Sequence, residues 1–537
     1  MDIDPIAPSK RLYWQALGLG LLALLLFSAG VYQQPVIGFD SRFVLFAKEM
    51  LRHGPGFFPT TYGEPYADYS AASTWLVYLL SLPLGQVTTL SAWLPSALSA
   101  ALIVSLMYRL VAPYSRPWAL LSVALLLLSN TFISETRAVS LDQMLAAVAL
   151  AVFYLGYAHE HFAAPRRTWL ILLLLALGFA IRGPIGLVIP TGMLCSYYLL
   201  NGQWRRLLGF GCSALLLLMA GVALLLWLAQ LSGGPGFVQD VIRMQFMGRM
   251  DGSEGSSGLF FYFTSSLGNY ALAYPLSLLT WVGVLLAGRG DQGPAFRLLR
   301  LCTAAGLVVM IGLSIPQAKK ARYLLPMLPM AAIIAAYPFQ AQRGSLFTAL
   351  RVLMQGLWLL LPGALLVALV LLQRRFPQQG VALPTVLAIL GGLQLLALCL
   401  LRARWRAVGL AYSAVLAVWT CYIGVFEPVQ RQLYDTQAFS HAVLQRIQTD
   451  PAPLVLYGMG KDAKAIKFMV NLDQDLQPRF SEQLPSLLAS PEPAWLMLDQ
   501  SAVRGTPLEH VTPALSGRFD NNDYLLLRLP ASVPGAD

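Results

Sequence analysis

Apolar runs close to the length of a bilayer crossing recur from Leu12 to Phe426, with short polar stretches between them. A crossing helix needs about 20 predominantly apolar residues, so the pattern predicts about thirteen transmembrane helices. They fall at 12–30, 90–111, 118–133, 143–159, 169–181, 185–200, 207–231, 270–286, 298–315, 323–339, 352–372, 381–401 and 408–426. Arg182, Gly183 and Pro184 separate the fifth from the sixth, and this pair reads equally as one kinked helix. After Phe426 the pattern shifts to short β-like runs at 454–457, 495–498 and 524–529, with a helix at 461–470. The expected fold is a polytopic α-helical membrane protein, residues 1–426, followed by a small α/β domain, residues 427–537.

Composition strengthens this class and excludes an ordinary soluble domain. Hydrophobic residues make up 57% of the chain and charged residues 12%, and mean hydropathy is +0.61. The first apolar run lacks good small-residue cleavage signals, so it reads as an uncleaved span. All five cysteines lie in or beside apolar runs without a CxxC pair, which implies neither a disulfide framework nor a zinc site.

The basic residues orient the chain. Lys10 and Arg11, Arg109 and Arg116, Arg166 and Arg167, Arg205 and Arg206, Arg297 and Arg300, Arg343 and Arg351, then Arg402, Arg404 and Arg406 occupy every second loop. By the positive-inside rule those loops are cytoplasmic. The loop 31–89 and the C-terminal domain then lie on the outer side. Arg42, Lys48, Arg52, Arg137, Arg182, Arg243, Arg249 and the segment Lys319-Lys320-Ala321-Arg322-Tyr323 break the rule. An anionic group at the outer face accounts for them, and a phosphate held by charge-assisted hydrogen bonds is the natural candidate. Anionic lipid headgroups are the alternative.

Within the first outer loop, Phe43, Phe46, Ala47 and Met50 recur at helical spacing, while Arg42, Lys48, Glu49 and Arg52 take the other flank. That predicts an amphipathic helix lying along the membrane interface. Asp40 just before it is placed to take a proton from an acceptor hydroxyl, or simply to cap the helix. Asp142, at the outer end of another span, has the same two readings, with Glu135 and Arg137 as a local pair. Histidines give no metal case, because His159 and His161 fall on the cytoplasmic side, away from His53.

In order, these features resemble a family. They are Asp40 after the first span, Lys48-Glu49-Met50-Leu51 ending the outer helix, and a Gly-x-x-Tyr-x-acidic element from Gly63 before Trp75. Leu141-Asp142, Arg182-Gly183 and the late basic loop follow. The chain is similar to the GT-C class of polyprenyl-phosphate-sugar-dependent glycosyltransferases, in particular the lipid A aminoarabinose transferases and protein O-mannosyltransferases, along roughly Lys10 to Tyr337. The resemblance implies a membrane enzyme moving a sugar from polyprenyl (undecaprenyl) phosphate to an extracytoplasmic acceptor such as a lipid, glycan or protein hydroxyl or phosphate, with inversion at the sugar. It implies Asp40 and Asp142 as catalytic residues and Lys319, Lys320, Arg322, Tyr323 and Arg182 as the donor-phosphate site. Arg42, Asp68, Arg137 and Arg249 are left to position substrate. The implied setting is a bacterial inner membrane with a periplasmic site, membrane lipid and no nucleic acid as partners, and no required cofactor, a divalent metal staying open. The chain departs from the family at Ser41, at Tyr69-Ser70 and at Gln245–Arg249, where an aminoarabinose transferase would carry a histidine. A transporter or flippase for a lipid-linked anion, and an assembly protein docking through its C-terminal domain, are the other readings. Collection of the ionisable groups in outer loops, rather than at mid-membrane, favours the enzyme.

Overall fold

The computed structural model describes residues 10–529 except 39, 69–71, 253–254, 288–292, 342–343, 376–382, 462–463, 475 and 489–491. The chain divides into two compact units: Met1–Val31, Pro65–Leu76 and Trp93–Val425 form the first, and Tyr32–Glu64, Val77–Ala92 and Phe426–Asp537 the second.

The first unit is helical. It contains α1 (Lys10–Ser28), the first half of α3 (Ala72–Ser81), most of α4 (Thr89–Val111), α5 (Arg116–Leu127), α6 (Asn130–Thr136), α7 (Leu141–His161), α8 (Thr168–Arg182), α9 (Pro184–Leu200) and α10 (Trp204–Ile242); further helices continue to Tyr422–Phe426. Among the described residues nine helices are long and apolar enough to cross a membrane, or eleven if each of two bent pairs is one span. The expected thirteen therefore exceeds what length and composition support. The difference is α8 and α9, of 15 and 17 residues, each shorter than the roughly 20 residues of a typical span. α7 is buried along almost its whole length, from Leu141 to Ala158, and forms the centre of the bundle.

Glycines decide how α8 and α9 are joined. Gly183 between them has φ 63° and ψ −149°, a conformation essentially restricted to glycine. A Cβ on Gly178 would lie 2.2 Å from the Gly186 carbonyl oxygen, and one on Gly186 would lie 1.9 Å from that of Gly178. The two backbones touch across the turn, so this segment is a tight helical hairpin and not one kinked helix. Small residues permit such an approach between membrane helices. Arg182, the last residue of α8, is positioned by the same contact.

The second unit holds α2 (Asp40–His53) and the short strand β1 (Thr60–Thr61); β2 (Glu64–Pro65) follows at its edge. Its C-terminal part is built on a five-stranded sheet of β3 (Leu454–Tyr457), β4 (Arg479–Ser481), β5 (Ala494–Asp499), β6 (Leu515–Phe519) and β7 (Asn522–Leu529), ordered β4-β3-β5-β7-β6. β3 runs parallel to β4 and β5, whereas β7 is antiparallel to β5 and β6. Leu496, Leu498 and Leu527 form part of its core. The three expected strands are β3, β5 and β7; the two edge strands are short or polar and carry little periodic signal.

The amphipathic helix is present as α2, but its polar flank does not face outward. Phe43 to Ala47 are buried, and Glu49 is only 2% accessible. Lys48 Nζ donates to the Val470 carbonyl at 2.8 Å and meets Asp473 Oδ1 at 3.0 Å, and Arg52 donates to the Leu472 carbonyl at 2.7 Å. The Lys48 ammonium beside Asp473 holds its carboxyl below the usual carboxylate range. Val470 and Leu472 follow the helix Lys464–Met469, where terminal carbonyls favour cations. These two cations thus tie α2 to the sheet domain.

The α8–α9 contact generates a direct test. Gly186→Val forces the helices apart and is expected to destabilise the bundle by about 1–3 kcal/mol, the usual range for overpacking. The check is a lowered melting temperature in detergent; Gly211→Val, at a site where a Cβ meets nothing within 4 Å, provides the comparison.

Candidate active site

The first unit gathers charge around the start of α7. Ser140 is its N-cap, accepting from the Gln143 backbone N–H at 3.2 Å. Asp142 therefore does not supply the cap, and its carboxylate is turned to two arginines. Arg182 Nε lies 3.4 Å from Asp142 Oδ1, and Arg322 Nε lies 3.1 Å from Oδ2. Asp142 and Arg182 are buried, at 4% and 5% accessibility. Such a pair persists only where charge is balanced, since an ion taken out of water costs several kcal/mol.

Balance extends to a second carboxylate. Glu135 accepts a hydrogen bond from Ser140 Oγ, and its charged neighbours are Asp142, Arg322 and Arg182. It thus belongs to this cluster, in place of the local pairing with Arg137 expected from sequence. The Tyr323 ring centroid is 5.0 Å from the Arg182 guanidinium carbon and 6.0 Å from that of Arg322, within cation–π range. Tyr262 and Tyr270 are fully buried electrostatic neighbours of Asp142. Tyr270 also donates to the Ala321 carbonyl at 2.7 Å and so fixes the backbone next to Arg322.

The loop past α10 closes the cluster from another direction. A π-helical turn, Arg243–Met247, buries Gln245. Its Nε2 donates to the Asp68 carbonyl at 2.6 Å and the Ala67 carbonyl at 3.3 Å, while its Oε1 lies 3.0 Å from where a Cβ on Gly183 would stand. Gln245 thereby joins the α8–α9 turn to the segment around Asp68. π turns of this kind concentrate at functional sites.

The other expected residues have varied surroundings. Lys319 Nζ donates to the Ser257 carbonyl at 3.0 Å, tying the basic segment to a neighbouring loop. Lys320 is exposed. Arg137 is buried; it donates to the Phe27 and Ala29 carbonyls at the end of α1 and lies 5.6 Å from the Trp93 ring centroid. This is a helix C-terminal clamp. Asp68 is half-buried, Asp40 occupies the first turn of α2, and Arg42 is half-buried on the same helix. The Arg249 side chain and the departures at Tyr69-Ser70 lie outside the described residues. Among the described residues, no three His, Cys, Asp or Glu side chains group as a metal site.

Sequence reading missed the Glu135 connection, the two buried tyrosines and Gln245 as a bridge. Only Gln245 carried a signal, as the residue in the loop where the family places a histidine.

The fold, a helical unit with a small sheet domain, has a counterpart among solved structures. In particular, the chain is similar in fold to ArnT from Cupriavidus metallidurans: the apo crystal structure matches with a TM-score of 0.71 over 98% of this chain and 100% of that one, at 16% identity. The same protein bound to undecaprenyl phosphate matches with a TM-score of 0.69 over 97% and 99%, also at 16% identity. The dolichyl-phosphate-mannose-protein mannosyltransferase family model matches residues 31–232. A curated relative, undecaprenyl phosphate-alpha-4-amino-4-deoxy-L-arabinose arabinosyl transferase 1 of Sodalis glossinidius (strain morsitans), is 29% identical over 348 residues, which are 60% of this chain. The match spans 59% of that relative's length.

Asp142→Asn tests the cluster. It removes the charge that both guanidinium groups address, and breaking a buried pair in this way typically costs about 3–5 kcal/mol. The expected result is a clear fall in the melting temperature of the purified protein, and an unchanged value would show that Asp142 does not organise the two arginines.

Proposed function

We propose that this protein is an integral membrane glycosyltransferase that moves a sugar from a polyprenyl phosphate, of the undecaprenyl type, to an acceptor on the extracytoplasmic side. The observation that carries this reading is the pair Arg182 and Arg322, both turned on Asp142 beside Tyr323, in a chain with the ArnT fold. The bound lipid of the Cupriavidus protein has the phosphate chemistry that such guanidinium groups suit. Residues 1–426 are proposed as the membrane glycosyltransferase domain and 427–537 as a periplasmic domain, in a bacterial inner membrane.

The reaction is a single displacement at the anomeric carbon. The acceptor oxygen forms the new glycosidic bond as the bond from the anomeric carbon to the phosphate oxygen breaks, and configuration inverts. Negative charge grows on the departing polyprenyl phosphate, where Arg182 and Arg322 act as preorganised counter-charges. Asp142 is a positioning residue in this scheme, because its carboxylate is engaged by both arginines. Asp40 is proposed as the base that receives the acceptor proton when the acceptor is a hydroxyl. Lys319, Lys320 and Tyr323 complete the donor side, with Arg42, Asp68, Arg137 and Arg249 around the substrates. Placement of Asp142 and Arg182 at helix ends, not at mid-span, supports transfer at headgroup level over passage of a substrate through the bundle.

Activity assays with a polyprenyl-phosphate sugar separate the roles. Asp40→Asn retains a side chain that caps a helix about as well as aspartate, yet cannot accept the proton, so turnover is expected to fall on the order of 10²-fold with donor binding kept. Near wild-type transfer would remove Asp40 from the mechanism. Arg322→Gln is expected to weaken donor binding, and an unaltered donor affinity would remove it from the phosphate site. The orientation predicts that alkaline phosphatase fused after Pro428 is active and after Arg206 inactive; the reverse pattern would overturn the periplasmic assignment.

A further inference from the structure

At the other end of α7 lies a second charged site that the transfer reaction does not use. From Asp142 to Glu160 the helix advances about 27 Å at 1.5 Å per residue, close to a hydrocarbon thickness. There a cavity of about 270 Å³ opens between α7, α8, α9 and α10. Arg166, Arg167, Arg205 and Arg206 line it, above an apolar wall that includes Leu155, Ile171 and Phe210.

The acid in this lining is already answered. Glu160 accepts from Tyr197 Oη at 2.5 Å and from Gln203 Nε2 at 2.7 Å, and it pairs with Arg206. By contrast, Arg167 and Arg205 have no side-chain hydrogen bond or ion pair among the described residues. The starts of α8 and α10 also reach this cavity through Thr168 and Arg205, and neither helix has a side-chain cap at its N-terminus. First-turn N–H groups and the helix dipole add to the attraction for an anion.

Two tryptophans set the depth. Trp169, next to Thr168, is 68% exposed, and Trp204, next to Arg205, is 60% exposed. Exposed tryptophans at the ends of membrane helices belong at headgroup level. Leu173 and Leu208 beyond them are also exposed, as lipid-facing residues are. A cationic rim at headgroup depth over an apolar wall matches an amphiphile with an anionic head, and basic pockets between membrane helices suit such lipids.

We propose that this cavity is a binding site for an anionic phospholipid of the leaflet on the basic-loop side, its phosphate held by Arg167 and Arg205. The chemistry shared with a soluble phosphate is the charge-assisted Arg–phosphate hydrogen bond; the apolar wall and the tryptophan belt favour the lipid. The site is independent of the transferase reading and lies at the opposite end of the bundle from Asp142.

Native mass spectrometry of the full-length protein, titrated with phosphatidylglycerol or phosphatidylcholine, tests it. The wild type is expected to retain phosphatidylglycerol preferentially, and Arg167→Gln with Arg205→Gln to weaken that retention by about thirtyfold, taking the usual contribution of each basic residue near an anionic surface. Gly209→Leu keeps every arginine and fills the cavity, since a Cβ at Gly209 meets nothing within 4 Å; it is expected to lose the same lipid while melting at the wild-type temperature. Unchanged phosphatidylglycerol retention in the double variant and in Gly209→Leu would overturn the site. If inorganic phosphate or glycerol 3-phosphate displaced phosphatidylglycerol at equal concentration, the occupant would be a free phosphate and the lipid assignment would fall.

Discussion

One carboxylate facing two guanidinium groups is the constraint around which the membrane unit is arranged. Asp142 is buried, so its charge is tolerable only if Arg182 and Arg322 arrive within ion-pair distance. Arg182 reaches it because α8 stops at Gly183 and folds back with Gly178 against Gly186. Arg322 reaches it because Tyr270 fixes the preceding carbonyl. Three distant stretches of chain thus converge on one side chain.

Much of this could be read in advance. The apolar runs located the helices, and the Arg182-Gly183 and Lys319–Tyr323 segments stood out because positive charge there offends the orientation rule. The turn at Gly183 was less legible: a Gly-Pro break suits a kink as well as a hairpin, and the deciding signal is the placement of Gly178 and Gly186 on either side of it. Partner choice was the least legible. Glu135 and Arg137 sit at a spacing that suggests a local pair, whereas Glu135 joins the Asp142 cluster and Arg137 clamps α1. No local pattern encodes which of several nearby charges a side chain meets after packing. The edge strands β4 and β6 were missed for a related reason, since a short or polar strand acquires its structure from the neighbour it pairs with.

Positive charge serves different ends in different parts of the protein. Arg182 and Arg322 are neutralised by acids in the interior, where geometry is tightly set. Lys48 and Arg52 each donate to a backbone carbonyl while also facing a carboxylate, Asp473 for Lys48 and Glu49 for Arg52. Arg167 and Arg205 border a cavity. Counting basic residues by loop therefore recovers orientation, but assigns no task to any one of them.

The tie between α2 and the sheet domain bears on how the chain can be divided. Lys48 and Arg52 are separated by more than 400 positions from the carbonyls they meet, so residues 32–64 and 426–537 belong to one compact unit although they lie far apart along the chain. A cut at Phe426 that looks natural from hydropathy would strand α2 with two half-buried cations and an uncovered apolar face. The boundary of the smaller unit is thus spatial, and a transplant of the C-terminal domain between relatives has to carry the 32–64 segment with it.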